Sequence, residues 1–126
     1  MEKQTMLSNG EWIIMEHLWQ KPHTLMELVA VLGESVGWSK STVATMVRRM
    51  EEKGAISHTE QGRAKLFRPA VTRDEVTIRE TRNLLQRAFH GRLGLLVNTM
   101  VQSNDLTKED IRELLEILQK SGVEAK

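Results

Sequence analysis

The chain has 126 residues, of which 40% are hydrophobic and 28% are charged, and its formal net charge is +1. This length allows one ordinary domain or two small ones, and roughly two-thirds of the unfolded surface can be buried. There is no cysteine, which excludes disulfides, thiolate metal sites and thiol nucleophiles, and which fits the cytosol. We expect no membrane helix, because no apolar run reaches about 18 residues. We expect no signal peptide, because no basic region precedes an apolar core at the N-terminus.

The small net charge conceals an uneven distribution along the chain. Residues 1–36 hold two basic and five acidic side chains, and residues 71–126 hold nine of each sign. Residues 37–70 hold seven basic and three acidic side chains. Positive charge concentrated in the middle third of a chain is typical of a nucleic-acid-binding surface.

Three short helices are predicted in the first 54 residues. Each opens with a hydroxyl side chain that can cap a helix N-terminus, and the first two have a glutamate three residues later, as in a capping box. Each ends at a proline or glycine, which disfavour continued helical geometry. The predicted caps are Ser8, Thr24 and Ser39, and the predicted ends are Lys21-Pro22, Gly33 with Gly37, and Gly54.

Apolar side chains at helical spacing predict the core of this region. Trp12, Met15 and Trp19 share one face of the first helix, and we expect both tryptophans to be buried there. Leu28 belongs to the apolar stripe of the second helix. Trp38 directly precedes the cap of the third helix, and we expect it to pack beneath that helix. The seven methionines are interpreted as core filling.

The third helix has one face suited to a protein core and another suited to a polyanion. An apolar stripe at i, i+3, i+4 and i+7 forms the first face. The other face carries short hydroxyls followed by guanidinium groups, which suit base edges and phosphate oxygens. An ordinary solvated helix is the alternative, but such a face usually mixes glutamate with lysine. The stripe consists of Val43, Met46, Val47 and Met50, and the candidate DNA contacts are Lys40, Ser41, Thr42, Thr45, Arg48 and Arg49.

A β-hairpin is predicted after the third helix. Residues 55–59 read as a strand, residues 60–63 as a turn and residues 64–68 as the return strand, which Pro69 ends. Three helices followed by a hairpin indicate a winged helix, whose third helix enters the major groove with its N-terminal half at the base edges. We expect Arg63 and Lys65 at the hairpin to contact phosphate or the minor groove, although they could simply keep an exposed turn hydrated. Lys53 and Arg68 are interpreted as solvated charges.

The chain is predicted to be helical again from Thr72 onward. Three helices should run to about His90, over residues 93–101, and from Thr107 to Gly122. The middle one is apolar almost all round, which favours burial on more than one side. These helices are few and apolar for an independent domain, so pairing with a second copy explains them better. The predicted dimerisation residues are Leu85, Phe89, Leu93, Leu96, Val97, Met100, Ile111, Leu114, Leu115 and Leu118.

The fold class predicted is mostly α with a small β-hairpin wing, in which a winged helix-turn-helix (residues 1–71) is followed by a helical dimerisation domain (residues 72–126). The four histidines are scattered without metal-ligand spacing, so we expect neither a metal nor a cofactor. No glycine-rich phosphate loop, nucleophile elbow or paired-acid pattern occurs, so we do not expect an enzyme. The alternative of another class is a winged-helix module that binds a protein rather than DNA.

Two long motifs and two short ones occur together in this chain. The long ones are Glu11-Trp12-x-x-Met15-x-x-Leu18-Trp19 and Trp38-Ser39-x-x-Thr42-Val43-x-Thr45-x-x-x-Arg49-Met50-x-x-Lys53-Gly54. The short ones are Gly62-Arg63-Ala64 in the wing and Asp105-Leu106-Thr107 before the last helix. With these motifs the chain resembles the bacterial penicillinase-repressor family, the BlaI/MecI/CopY group of winged-helix repressors, over about residues 7–120.

The resemblance implies a homodimeric repressor that binds an inverted-repeat operator in double-stranded DNA through its N-terminal domain and dimerises through its C-terminal helices. In the family's beta-lactam branch, a membrane sensor leads to cleavage at an Asn-Phe bond in the C-terminal domain, and a sensor protease is then a further partner. Thr99-Met100 occupies the aligned position here, with Asn98 one residue earlier, which leaves proteolytic induction open. The copper branch uses C-terminal cysteines, which this chain lacks. Lys65 also stands where an aromatic is common in the family.

Overall fold

The structure is a computed structural model that describes residues 6–122. Six helices and three strands form in the described part of the chain. Their bounds are α1 Asn9–Gln20, β1 His23–Thr24, α2 Leu25–Val36, α3 Lys40–Glu52, β2 Ile56–Gln61, β3 Ala64–Pro69, α4 Arg73–Phe89, α5 Leu93–Gln102 and α6 Lys108–Ser121.

The predicted helix caps are confirmed. Ser8, Thr24 and Ser39 each accept a hydrogen bond from a backbone N–H in the first turn of α1, α2 and α3, and the first two complete capping boxes. The prediction that Gly33 helps to end α2 is wrong. The helix continues to Val36 and ends at Gly37, whose φ of 73° is left-handed, because a single internal glycine costs only about 1 kcal/mol of helix propensity.

The sheet has three antiparallel strands in the order β1-β3-β2, so the predicted two-stranded hairpin was incomplete. β2 and β3 pair from Ile56 opposite Pro69 to Gln61 opposite Ala64. β1 adds His23 opposite Phe67 along the other edge of β3. Two residues are too few to show an alternating pattern, and this strand forms because the link between α1 and α2 runs beside an unpaired edge.

The core lies where α1, α2 and α3 meet the sheet. Ile14, Met15, Leu28 and Val43 are fully buried there, together with other large apolar side chains. The expectation for the methionines holds for Met15 but not for all seven. Met6 is 44% exposed and Met26 57% exposed.

Trp12 and Trp19, which the sequence predicts as core residues, pack against the core at its edge and are partly buried. Their rings meet edge to face with centroids 5.5 Å apart. Trp12 Nε1 donates to Glu80 over 2.8 Å, and Trp19 Nε1 donates to the Val71 carbonyl over 3.0 Å. An indole N–H that is shielded from water needs a hydrogen-bond acceptor. These two hydrogen bonds therefore hold the rings against Glu80 and Val71.

The chain divides into two compact units between Thr81 and Arg82, inside α4. The first turns of α4 belong to the N-terminal unit because Val76 is fully buried and Glu80 binds Trp12. The predicted domain boundary at residues 71–72 lies before these turns, and as a functional boundary it stays a prediction.

The C-terminal unit contains α5 and α6, and neither helix has a buried residue. Its apolar side chains are half-buried or exposed. Those more than 40% exposed include Leu84, Leu93, Val101, Ile111, Leu115, Ile117 and Leu118.

Candidate nucleic-acid interface

The apolar face of α3 fixes this helix on the core. Val43 and Met50 are fully buried and Val47 is 3% exposed. Trp38 and Met46 pack against α1 at Gly10, and a Cβ built there would lie 2.8 Å from Met46 Cε and 3.3 Å from Trp38 Cη2. The bare glycine therefore allows Trp38 and Met46 to approach α1 closely.

The N-terminus of α3 presents a cluster of hydroxyl groups. Ser39 Oγ accepts from the Thr42 backbone N–H over 3.2 Å and lies within hydrogen-bonding distance of the side chains of Ser41 (3.1 Å) and Thr42 (3.0 Å). The first turn contains no acidic residue. Since a helix N-terminus carries partial positive charge, this end of α3 suits an anion, and Lys40 adds a full charge beside it.

The outward face of α3 continues from hydroxyls to guanidinium groups. Ser41, Thr42, Arg48 and Arg49 are exposed and Thr45 is partly buried. The spacing of seven residues between Ser41 and Arg48 corresponds to about 10 Å along the axis. The predicted candidates therefore share one accessible face of a helix whose opposite face is buried.

The basic residues of this region fall into two groups. Lys53 is engaged, because its Nζ donates to Glu11 Oε1 over 2.7 Å and to the Met6 carbonyl over 2.9 Å. The interpretation of Lys53 as a solvated charge is therefore wrong. In contrast, several cations make no hydrogen bond or ion pair with another described residue. These are Lys40, Arg48, Arg49, Arg63, Lys65 and Arg68.

The Lys53 contact also explains the state of Glu11. Partial burial opposes ionisation of this carboxyl, but the hydrogen bond from Lys53, the backbone N–H of Ser8 and the charge of Lys53 outweigh it. The pKa of Glu11 is therefore held below its ordinary value. This pair joins α1 to the C-terminal end of α3 and is structural.

The wing places two of the unpaired cations at its tip. Gly62 and Arg63 form the tight turn between β2 and β3, and Gly62 has a left-handed φ of 64° that favours glycine. Lys65 stands opposite Glu60 in the register, and both are exposed. The carboxylate of Glu51 at the end of α3 binds His58 Nδ1 on β2, which links the helix to the wing.

Five of the ten predicted dimerisation residues line one groove in the C-terminal unit. Leu93, Leu96, Val97, Met100 and Leu114 line a groove between α5 and α6 with a volume of about 390 Å³. Sequence reasoning missed Ile117, which also lines it and is 54% exposed. The remaining predicted residues are half-buried or exposed, namely Leu85, Phe89, Ile111, Leu115 and Leu118.

The predicted cleavage region lies within α5. Asn98 and Thr99 are exposed and Met100 is half-buried. Thr99 Oγ1 donates back to the Leu95 carbonyl over 2.8 Å. The Thr99-Met100 bond is therefore part of a regular helix, and a protease that needs an extended chain would have to unfold α5 locally.

Residues 6–122 contain no cluster of three or more histidine or acidic side chains that could hold a metal ion. Over the same range, no helix is both long and apolar enough to cross a membrane.

Comparison with known proteins gives a consistent result. A sequence profile of the penicillinase repressor family matches residues 7–120. The penicillinase repressor of Bacillus licheniformis is 28% identical over 120 residues, which cover 94% of each chain. The methicillin resistance regulatory protein MecI of Staphylococcus aureus (strain N315) is 24% identical over 115 residues, covering 90% of this chain and 94% of that protein.

Solved structures of the repressor BlaI resemble more than half of the chain. Its DNA-binding domain matches with a TM-score of 0.55 and 28% identity, over 60% of this chain and 93% of that one. The monomeric form of BlaI from Bacillus licheniformis, in complex with the blaP half-operator, matches with a TM-score of 0.52 and 26% identity. That match covers 59% of this chain and 93% of the solved one.

Proposed function

The chain belongs to the penicillinase repressor family and is a DNA-binding repressor of that type, and from this premise we propose that it binds an inverted-repeat operator as a homodimer and leaves it on an inducing signal. Members of this family are transcriptional repressors, so the expectation that the chain is not an enzyme is confirmed. We place it in the cytoplasm with the DNA that it would regulate. The observation that carries the proposal is the outward face of α3, where hydroxyls and unpaired arginines stand on a helix anchored from behind.

The proposal gives different tasks to the two halves of α3. In such folds the N-terminal half of the recognition helix meets base edges, so Ser41, Thr42 and Thr45 would contact bases. Arg48 and Arg49 lie further along and would contact phosphates, as would Lys40 at the helix N-terminus. Arg63 and Lys65 would add phosphate or minor-groove contacts from the wing. The absence of internal ion pairs to these cations among the described residues means that binding DNA breaks no existing pair.

Homodimerisation is supported by the state of the C-terminal unit. α5 and α6 bury no residue by themselves, and an apolar surface of this extent is unfavourable in water. A second copy of the same surface would cover it through an isologous interface. The resulting two-fold axis would present two recognition helices to half-sites about 34 Å apart, which requires an inverted repeat.

We further propose that the repressor is released from DNA by proteolysis in α5, as the resemblance to the beta-lactam branch of the family implies. The peptide bond between Thr99 and Met100 is the predicted site, with Asn98 beside it and a sensor protease as the partner. Incubation with the sensor encoded nearest to this chain, followed by intact-mass measurement, tests it. Two fragments that together account for the chain are expected, and an intact chain that nevertheless leaves DNA would contradict cleavage.

The experiment that tests DNA recognition is a binding titration on the chain's own upstream region at several salt concentrations. Arg49→Ala should lower the slope of log affinity against log salt by about 0.9, because one phosphate contact is lost. Thr45→Ala should instead relax sequence preference, a base-edge contact being worth about 1–3 kcal/mol. Arg87→Ala removes the same charge from α4 outside the winged helix and should change neither quantity.

Two outcomes would contradict the recognition assignment. If Thr45→Ala and Arg49→Ala both bind as the wild type does, α3 is not the recognition helix. If the wild-type affinity is weak and indifferent to sequence, the winged helix is a protein-interaction module.

A further inference from the structure

A groove separates α3 from the wing and is bounded at one end by β1 and the first turn of α2. Its volume is about 700 Å³, within the range of about 300–1,000 Å³ that small-molecule sites occupy. Val47 and Phe67, which are almost fully buried, support its floor. A cleft of this size with a rigid base is able to hold a drug-sized molecule without rearrangement of the core.

The lining of the groove is mainly apolar. Leu25, Met26, Ala44 and Ala64 contribute to it together with the floor residues. Met26 is 57% exposed at the lip, on the second residue of α2. Contacts with DNA phosphates would explain why cations lie in this region. They would not explain an exposed methionine beside an apolar groove floor. The groove thus offers a surface that an apolar molecular body would cover favourably.

The polar groups around the groove are mostly cationic. Arg48 lines it from α3, and Arg63 and Lys65 line it from the wing. None of the three makes an ion pair with another described residue. Glu51 also lines the groove, but its carboxylate binds His58. The unpaired charge at the groove is therefore positive, which complements an anion.

We propose that this groove binds a small organic carboxylate, with its apolar body against Leu25, Met26 and Ala44 and its carboxylate among Arg48, Arg63 and Lys65. The regulatory consequence rests on the proposed function, because the same three cations are assigned to DNA phosphates. A bound carboxylate would occupy them and would weaken DNA binding directly. This gives the repressor an effector site in the DNA-binding unit, independent of cleavage in α5.

The first test locates and classifies binding in the full-length chain without DNA. The probes are 2-naphthoate and its neutral counterpart 2-naphthamide. With methyl-labelled methionine, 2-naphthoate should shift the NMR signal of the Met26 methyl saturably. Calorimetry should show that 2-naphthamide binds at least about tenfold more weakly than 2-naphthoate. This is the ratio expected when one hydrogen bond to a charged group is lost. Equal affinity for the two probes, or no saturable shift of Met26, would overturn the proposal.

The second test uses a matched pair of variants on α2. Met26→Glu places a carboxylate at the lip and should reduce 2-naphthoate affinity by about tenfold or more through like-charge repulsion. Val36→Glu introduces the same group at another exposed position of the same helix, which does not line the groove. It should bind 2-naphthoate as the wild type does. Loss of binding in both variants would show that the effect is not local, and the groove assignment would be wrong.

The third test adds operator DNA and separates this inference from the proposed function. Saturating 2-naphthoate should lower the affinity of the wild type for DNA but leave that of Met26→Glu unchanged. Salt-dependent DNA binding without 2-naphthoate binding would overturn the groove alone. Binding of 2-naphthoate to a chain that does not recognise DNA would support the groove and overturn the proposed function. Simultaneous binding of both ligands without competition would overturn the regulatory consequence.

Discussion

The carboxylate of Glu80 joins α4 to the N-terminal segment and should be a main support of the winged-helix unit. One oxygen accepts from the Leu7 backbone N–H over 3.0 Å, and the other accepts from Trp12 Nε1 over 2.8 Å. Both hydrogen bonds are partly buried. Glu80→Ala would leave both donors without their partner, and the indole would lose the acceptor that holds it against α1.

The expected loss follows from these two contacts. A hydrogen bond to a charged group contributes about 1.5–3 kcal/mol when it is well shielded from water. Because both bonds here are only partly buried, their combined loss should be about 2–3 kcal/mol. For a unit of this size that corresponds to a decrease in Tm of about 8–24 °C. Glu80→Gln retains one acceptor oxygen and should lose less.

Urea unfolding followed by tryptophan fluorescence measures this effect, because all three tryptophans lie in the N-terminal unit. Glu34→Ala is the matched control, since the Glu34 side chain is exposed on α2 and makes no hydrogen bond or ion pair with another described residue. It should stay within about 0.5 kcal/mol of the wild type. If Glu80→Ala is as stable as Glu34→Ala, the two hydrogen bonds do not hold α4 in place.

Three further outcomes are expected. If the chain forms the proposed homodimer, Leu118→Asp should be monomeric in sedimentation velocity, because it places a charge on the apolar face of α6. Gln119→Asp should sediment as the wild type does, and a dimeric Leu118→Asp would place the interface elsewhere. The pKa of Glu11 is lowered in the folded state, so its ionised carboxylate stabilises the fold at pH above its ordinary value of about 4.5. This stabilisation is lost as the pH falls through the lower pKa of the folded state. The urea midpoint should therefore fall less between about pH 6 and pH 3 in Glu11→Gln than in the wild type, and parallel profiles would contradict this. A chain truncated after Thr81 should be more stable to urea than one truncated after Val71 by at least about 1.5 kcal/mol, because burial of Val76 alone contributes about 1.5–3 kcal/mol. Equal stability would favour the earlier domain boundary.

The sequence predicted correctly those features that depend on residues a few positions apart, such as helix caps and glycine C-caps. Ser8 and Thr24 cap their helices through bonds to a residue three positions along, which the sequence contains in full. The same holds for Gly37 and Gly54, whose left-handed backbone suits glycine. The prediction for Gly33 was wrong because one glycine does not outweigh a helix that is capped at both ends.

The division of α3 into two faces was also predictable, since helical spacing alone separates Val43 and Val47 from Arg48 and Arg49. The sequence did not indicate which cations are unpaired. Lys53 lies 42 residues from Glu11, and nothing local joins them. The two residues meet only because α1 and α3 pack together, and Lys53 is then paired and not free to contact DNA.

By itself the sequence determined the helices, the hairpin and the chemical character of the outward face of α3. It determined these because capping, turn geometry and amphipathic spacing act over a few residues. Only the tertiary structure decided the third strand at β1, the assignment of the first turns of α4 to the winged-helix unit, and the groove beside Met26. Each of these joins segments distant along the chain, so it depends on how separate elements pack rather than on the pattern within any one of them.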